Sequence, residues 1–437
     1  MNYISLNHNS QKVNFENALI NGLAPDKGLY YPESIPKLSK KFFNEIKDLN
    51  NNEIAYNVIK PFIGNSIDKE NLNKIIVDTL NFKFPLKEIE KNMASLELFH
   101  GPTLAFKDVG ARFMARYLGY IIKKKRNKKI TVIVATSGDT GGAVANGFYN
   151  IEGVDVVILY PKNKVSQIQE KQLTTLGNNI NALEVDGDFD KCQDMVKNVF
   201  VDTQIKSKID VTSANSINVG RWLPQVFYYF FAYKKIIKNN LKNKKIVFSV
   251  PSGNFGNICA GLLSKVMGLP INHFISATNT NNVVPIFLKT GQYIPKKTIK
   301  TISNAMDVGN PSNFIRIQNL YNNDFHKLKK VLSGYHFSDS KTSNEIYNVY
   351  KNNNYVLDPH GAVGYLGLKK FLNENENENY FGVFLETAHP VKFMEIVEKK
   401  IKSKISIPNK IKKILNKSEN KTSISNYNEL KSFLLKF

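Results

Sequence analysis

The chain has 437 residues, 42% of them hydrophobic and 11% aromatic, enough for two well-filled domains and an added segment. Lys and Arg number 60 against 37 Asp and Glu, a formal charge of +23, yet only five of the 60 are Arg (Arg112, Arg116, Arg126, Arg221, Arg316) and Asn is as frequent as Lys. Nucleic-acid binders favour the planar guanidinium, so this charge reads as compositional drift; two cysteines (Cys192, Cys259) exclude a disulfide framework, and no run of apolar residues is long enough to span a bilayer.

From the N-terminus, residues 1–95 read as a mainly helical region, with helical patterns at 14–21, 42–61 and 68–81 and a turn-rich, aromatic segment GLYYP at 28–32. From about Leu96 the texture becomes short Val, Ile and Phe runs alternating with helical stretches. The runs fall at 130–135, 154–160, 180–185, 246–250, 274–277 and 381–385, and amphipathic stretches such as 165–176 and 191–200 lie between them. Strand, helix, strand in that rhythm predicts a parallel sheet with helices on both faces. The boundaries expected are 1–95 for the N-terminal region, 96–225 for a first α/β lobe and 226–437 for a second. The basic run KKKRNKK at 123–129 reads as the exposed end of a helix, where positive charge suits the helix dipole, and NENENEN at 373–379 as a solvated loop. Cys192 and Cys259 sit in apolar helical patterns that predict reduced, packed thiols, and with no apolar leader the protein is expected to be soluble and cytoplasmic.

Walker, dinucleotide, zincin and hydrolase-elbow motifs are all missing from the sequence, which removes the main support for those functions. What stands out are polar or glycine-rich segments where strands hand over to helices. HGPTLAFKD at 100–108 holds Lys107 among apolar and small residues; desolvated, its amine would be a nucleophile or general base, whereas Asp108, if it faces the amine, would make it an ordinary salt-bridged lysine. TSGDTGG at 136–142 and PSGNFGN at 251–257 follow predicted strands and open helices, so their backbone N–H groups could cradle anions or form plain turns. SANSINVGRW at 213–222 leads into Arg221 and the single Trp, suited either to a phosphate or carboxylate or to a cation–π contact of Arg221 with Trp222. DPHGAVG at 358–364 reads as a helix-starting turn. In LETAHP at 385–390, Glu386 and Thr387 either line a cleft or cap the next helix.

Taken in order, GLYYP, HGPTLAFKD, ATSGDTGGA, SANSINVGRWLPQ, PSGNFGN, DPHGAVG and LETAHPVKF closely resemble the threonine synthases, in the longer subgroup with an added N-terminal region. The resemblance implies a two-lobed α/β structure of PLP-dependent fold type II, like the tryptophan synthase β chain, with pyridoxal 5'-phosphate (PLP) in the cleft. It implies that Lys107 carries PLP and acts as the catalytic lysine, that Gly253, Asn254, Phe255, Gly256 and Asn257 hold its phosphate, that Asp139 meets its ring hydroxyl and that Thr387 meets its pyridine nitrogen. Ser216, Asn218 and Arg221 would grip the phosphate of O-phospho-L-homoserine, and Ser137, Gly138 and Thr140 its α-carboxylate. No metal, nucleic-acid or membrane partner is implied, and the oligomeric state, monomer or homodimer, stays open. A related PLP lyase, such as a threonine dehydratase or a phospholyase, is the first alternative, and a silent metabolite-binding protein of the same fold the second.

Overall fold

A computed structural model describes residues 1–125, 129–241 and 243–436. Its strands in chain order are β1 (Asn2–Ser5), β2 (Val13–Asn14), β3 (Tyr30–Pro32), β4 (Leu86–Glu90), β5 (Met93–Glu97), β6 (Ile130–Ala135), β7 (Val154–Pro161), β8 (Ile180–Val185), β9 (Asp210–Ser213), β10 (Lys245–Pro251), β11 (His273–Thr278), β12 (Leu332–His336), β13 (Tyr380–Glu386) and β14 (Lys421–Ile424). Among the described residues they form three sheets: a small β2-β1-β3, a six-stranded β12-β11-β10-β13-β5-β4 and a five-stranded β14-β8-β7-β6-β9.

The five-stranded sheet is parallel throughout, and the six-stranded one is parallel except for the edge hairpin of β4 with β5. Helices on both faces explain the near-continuous apolar strands: every residue of β6 (ITVIVA) is buried. The expected α/β architecture is therefore present, and all six apolar runs are strands.

The sheets do not follow three consecutive segments. β5 spans the expected boundary at 95 and pairs with β13, so residues before that point contribute to the six-stranded sheet. At the other end β14 pairs with β8, returning the last residues to the five-stranded sheet. The N-terminal region carries four helices, Phe15–Asn21, Lys40–Glu45, Asn51–Ile63 and Lys69–Thr79, but also five strands, among them GLYYP residues that form buried β3. The C-terminal segment likewise interposes β14 between the helices Asn409–Leu415 and Tyr427–Leu434. Lys123 and Lys124 end the helix Lys107–Lys125 exposed, while 126–128 of the basic run lie outside the described residues. Residues 375–379 form the exposed link into β13, and both cysteines are buried and free. No helix among the described residues is long and apolar enough to cross a membrane.

Five carboxyl ends matter for the site. β5 leads into the 98–108 segment, β6 into 136–142, β9 into 214–221, β10 into 252–257 and β13 into 387–389, and these connections converge on one cleft of about 1110 Å³. One wall comes from the N-terminal region, through Asn21, Leu23, Ala24, Pro25, Lys27 and Leu29.

Candidate active site

Lys107 opens the helix Lys107–Lys125, and its side chain is 17% exposed in the cleft. The segment before it is pinned to the end of β13: Phe106 N–H donates to Thr387 O at 2.9 Å and His389 N–H to Leu104 O at 3.0 Å. Leu104 takes a left-handed φ of 60° at the turn, an unusual conformation for a leucine. Asp108 does not pair with Lys107. Its carboxylate turns back to accept from Thr103 N–H at 2.9 Å and Thr103 Oγ1 at 2.6 Å, so tightly that a Cβ on Gly101 would sit 2.3 Å from Asp108 Oδ2. Burial lowers the amine pKa of Lys107; Asp139 opposes that effect, and Lys392 and Arg221 reinforce it. A start-of-helix position acts in the same direction.

Asp139, 4% exposed, stands with Oδ2 at 3.9 Å from Lys107 Nζ. Its Oδ1 accepts at 2.6 Å from Lys392 Nζ and at 2.9 Å from Gln169 Nε2. Although burial alone would raise the Asp139 pKa, Lys392 and then Lys107 hold it well below the carboxylate range. Lys392 was not singled out in the sequence. The signal is the one that marks Lys107: a lysine enclosed by apolar neighbours, here Pro390, Val391 and Phe393.

The two glycine-rich loops differ. The helix Gly256–Val266 has no side-chain cap; Phe255 precedes it with φ 61°, and the buried Nδ2 of Asn257 has no partner, since that residue's Oδ1 is held by the hydroxyls of Tyr228 and Tyr229 at 2.8 and 2.7 Å. Gly253 is required by close approach: a Cβ there would lie 2.6 Å from Ala305 O. Gly253, Asn254, Phe255, Gly256 and Asn257 all line the cleft beside Ser252. In the 136–142 loop, by contrast, Thr136 Oγ1 already accepts from Gly138 N–H at 2.9 Å and Gly141 N–H at 2.8 Å. Ser137, Asp139 and Thr140 line the cleft; Gly138, with φ 132°, makes the turn behind them.

Arg221 is buried, donates from Nη1 to Ala214 O and leaves its Nε unpartnered; burial pulls its pKa down to about 10. The cation–π contact with Trp222, the alternative reading of Arg221, is made by a different arginine. Arg316 lies 4.4 Å from the Trp222 ring centroid and donates to Tyr30 O, Ser216 O, Ile217 O and Asn313 Oδ1. Ser216 Oγ accepts from Asn254 Nδ2 at 2.9 Å and Asn313 Nδ2 at 3.0 Å, which leaves its hydroxyl proton to donate. Asn218 does not reach the cleft. Fully buried, it donates to Leu19 O at 2.8 Å and Ser213 O at 3.0 Å and accepts from Gly220 N–H at 2.8 Å, so it braces the Arg221 turn against the N-terminal region and has no donor left for a substrate.

Thr387 lines the cleft at 6% exposure. Glu386 is neither a cap nor a cleft residue: it is fully buried at the end of β13 against Gly361, and burial together with Asp358 raises its pKa well above the usual range. Asp358 caps the helix Pro359–Glu374 and accepts from His360 Nδ1 at 2.6 Å. His360 Nε2 accepts from Ala305 N–H at 3.2 Å, which places the ring proton on Nδ1 and ties the 305–306 loop to the cleft wall.

Residues 2–80 match the family model described as threonine synthase N terminus, 88–383 that of pyridoxal-phosphate dependent enzymes and 361–434 that of the threonine synthase C-terminal region. The threonine synthase of Buchnera aphidicola from Acyrthosiphon pisum is 45% identical over 433 residues, 98% of each chain. The chain belongs to the threonine synthase family. Among solved members, the Escherichia coli threonine synthase superposes with a TM-score of 0.92 at 39% identity, covering 100% of both chains. The PLP-bound threonine synthase of Brucella melitensis gives 0.91 at 31% identity, covering 99% of this chain and 98% of its own. Fold type II and PLP dependence thus agree with the reading of the motifs.

Proposed function

We propose that the chain converts O-phospho-L-homoserine and water to L-threonine and inorganic phosphate, the last step of threonine biosynthesis, as a PLP-dependent lyase. The observation that carries this reading is the cleft itself, where one desolvated lysine faces two separate positive ends. One is the uncapped helix start with the unpartnered Asn257 Nδ2; the other is Arg221 with its unpartnered Nε. Two places with a buried donor left over, Asn257 Nδ2 and Arg221 Nε, fit two phosphates, one of the cofactor and one of the substrate.

In this reading Lys107 would hold PLP through its amine, residues 253–257 its phosphate, Thr387 the ring nitrogen and Asp139 the ring hydroxyl. Bound PLP supplies an electron sink for negative charge developing on the substrate carbons. Once the substrate amine has taken its place and left it free, Lys107 Nζ, its charge disfavoured by burial, would take the proton from Cα of the substrate. Arg221 and the Ser216 hydroxyl orient the phosphate at Cγ and neutralise its charge as it leaves, while Ser137 and Thr140 hold the α-carboxylate. Asn218 and Gly138 shape the turns that present those groups. Thr387 can donate or accept a hydrogen bond but cannot keep a pyridine nitrogen protonated as a carboxylate would, which favours elimination and replacement over transamination. The partners in this reading are small molecules, without nucleic acid or membrane, and the enzyme is cytoplasmic, as monomer or homodimer.

Purified protein supplied with PLP should absorb near the visible edge and release phosphate and threonine in equal amounts from O-phospho-L-homoserine. Phosphate without threonine would make it a phospholyase, and a colourless, inert protein would overturn the enzymatic reading. Borohydride reduction should fix the cofactor on the Lys107 peptide.

A further inference from the structure

Lys107 is not the only lysine enclosed at this site. Lys392 is fully buried, on the short turn Pro390–Phe393 that follows β13. Its ammonium makes two contacts, with Asp139 Oδ1 at 2.6 Å and with Thr103 O at 3.0 Å. Thr103 is in turn clamped by Asp108 and by Gln172 Nε2, which donates to Thr103 O at 3.0 Å. The two lysines thus stand on opposite oxygens of one carboxylate, with Lys392 in hydrogen-bond contact and Lys107 at 3.9 Å.

We propose that Lys392 is a positioning residue: by occupying Asp139 it denies Lys107 a close ion pair of its own, so that the Lys107 amine stands uncommitted in the cleft. This deepens the assignment of Lys107 as the PLP lysine and rests on it. A buried carboxylate shared by two ammonium groups binds the nearer one closely, and the farther one keeps only a longer 3.9 Å attraction set against burial and like-charge repulsion, which favour the neutral, nucleophilic amine. The groups facing Lys107 from the surrounding elements are Asp139, Lys392, Arg221 and Asp358; Asp108, on its own helix, is turned to Thr103. Facing Asp139 are Lys392, Lys107 and Gln169. Remove Lys392, and Asp139 has only Lys107 to neutralise it.

The test is the pH dependence of Lys107 acylation in cofactor-free protein, followed peptide by peptide by mass spectrometry. In Lys392→Met the half-modification pH of Lys107 should move up by about one unit or more, corresponding to a tenfold or greater loss of free amine at neutral pH. Lys392→Arg should keep the original midpoint, and adding Asp139→Asn to Lys392→Met should bring it back down. An unchanged or lowered midpoint in folded Lys392→Met, checked by circular dichroism, would overturn the proposal; should Lys392→Met not fold, Lys392→Gln, which keeps a donor toward Thr103 O but no charge, is held to the same two outcomes. Failure of the underlying assignment would look different: the borohydride-fixed cofactor would appear on another peptide, whatever the Lys107 midpoint does.

Discussion

Arg221 keeps its charge in surroundings that disfavour it, with one guanidinium nitrogen unused. Such a residue stabilises the bound state at the expense of the free one. Arg221→Met should therefore leave the thermal midpoint of the unliganded protein unchanged or higher, while kcat/KM for O-phospho-L-homoserine falls at least thirtyfold, about 2 kcal/mol. Steady-state kinetics and a melting curve check both halves, and a fall in stability with unchanged kinetics would assign Arg221 to the scaffold. Single residues differ in how far the sequence reveals them. Lys107 is legible because a lysine among apolar neighbours is chemically anomalous wherever it folds. Asn218 misleads because a short amide in a polar run serves a backbone as well as a ligand, and its choice depends on Leu19, 199 residues away. Arg316 escapes notice for the same reason, since its partner Tyr30 lies 286 residues distant.

The elements most readable in sequence are those buried on both faces, whose composition is dictated by the sheet's interior. The polar edges are not: β4 (LKEIE) and β14 (KTSI) have the texture of loops, and only pairing makes them strands, with adjacent β5 for the one and distant β8 for the other. Loops at strand ends are intermediate. Glycine in 251–257 signals a special turn, but the reason for Gly253 is the 305–306 loop pressed against it, which no local pattern announces. Gly253→Ala should push those loops apart and cost about 1–3 kcal/mol of stability. Because the phosphate cradle moves with them, PLP titration followed by absorbance should show at least tenfold weaker cofactor binding. Unaltered PLP affinity would separate the 305–306 contact from the cradle.

Across the whole molecule, two partly buried histidines contribute to the response to acid. Burial lowers His273 and His389 to about 4 from the usual 6.5. The unfolded chain takes up these protons first, so their contribution to stability is complete above pH 6.5 and is lost as pH falls toward 4, at about 1.4 kcal/mol per pH unit for each group. Asp139, held low by Lys392, adds to the loss at more acidic pH; Glu386, held high, opposes it, because its contribution is present at low pH and fades as pH rises through its raised value. With Glu386 common to both proteins, His273→Gln should show a shallower decline of unfolding free energy between pH 6.5 and 4.5 in urea titrations; equal slopes would mean that His273 charges freely in the folded state. The return of β14 to the five-stranded sheet has a consequence for biosynthesis. A ribosome delivers that edge strand after all the other described strands, together with Lys410, whose ammonium clasps the carbonyls of His100 and Gly101 just ahead of Lys107. The six-stranded sheet thus has all its strands by residue 386, whereas the five-stranded sheet lacks its edge until residue 424. The nascent chain must keep the open edge of β8 unpaired until residues 421–424 emerge, and a chain stopped between residues 390 and 409 holds every cleft residue but leaves its catalytic loop unfastened.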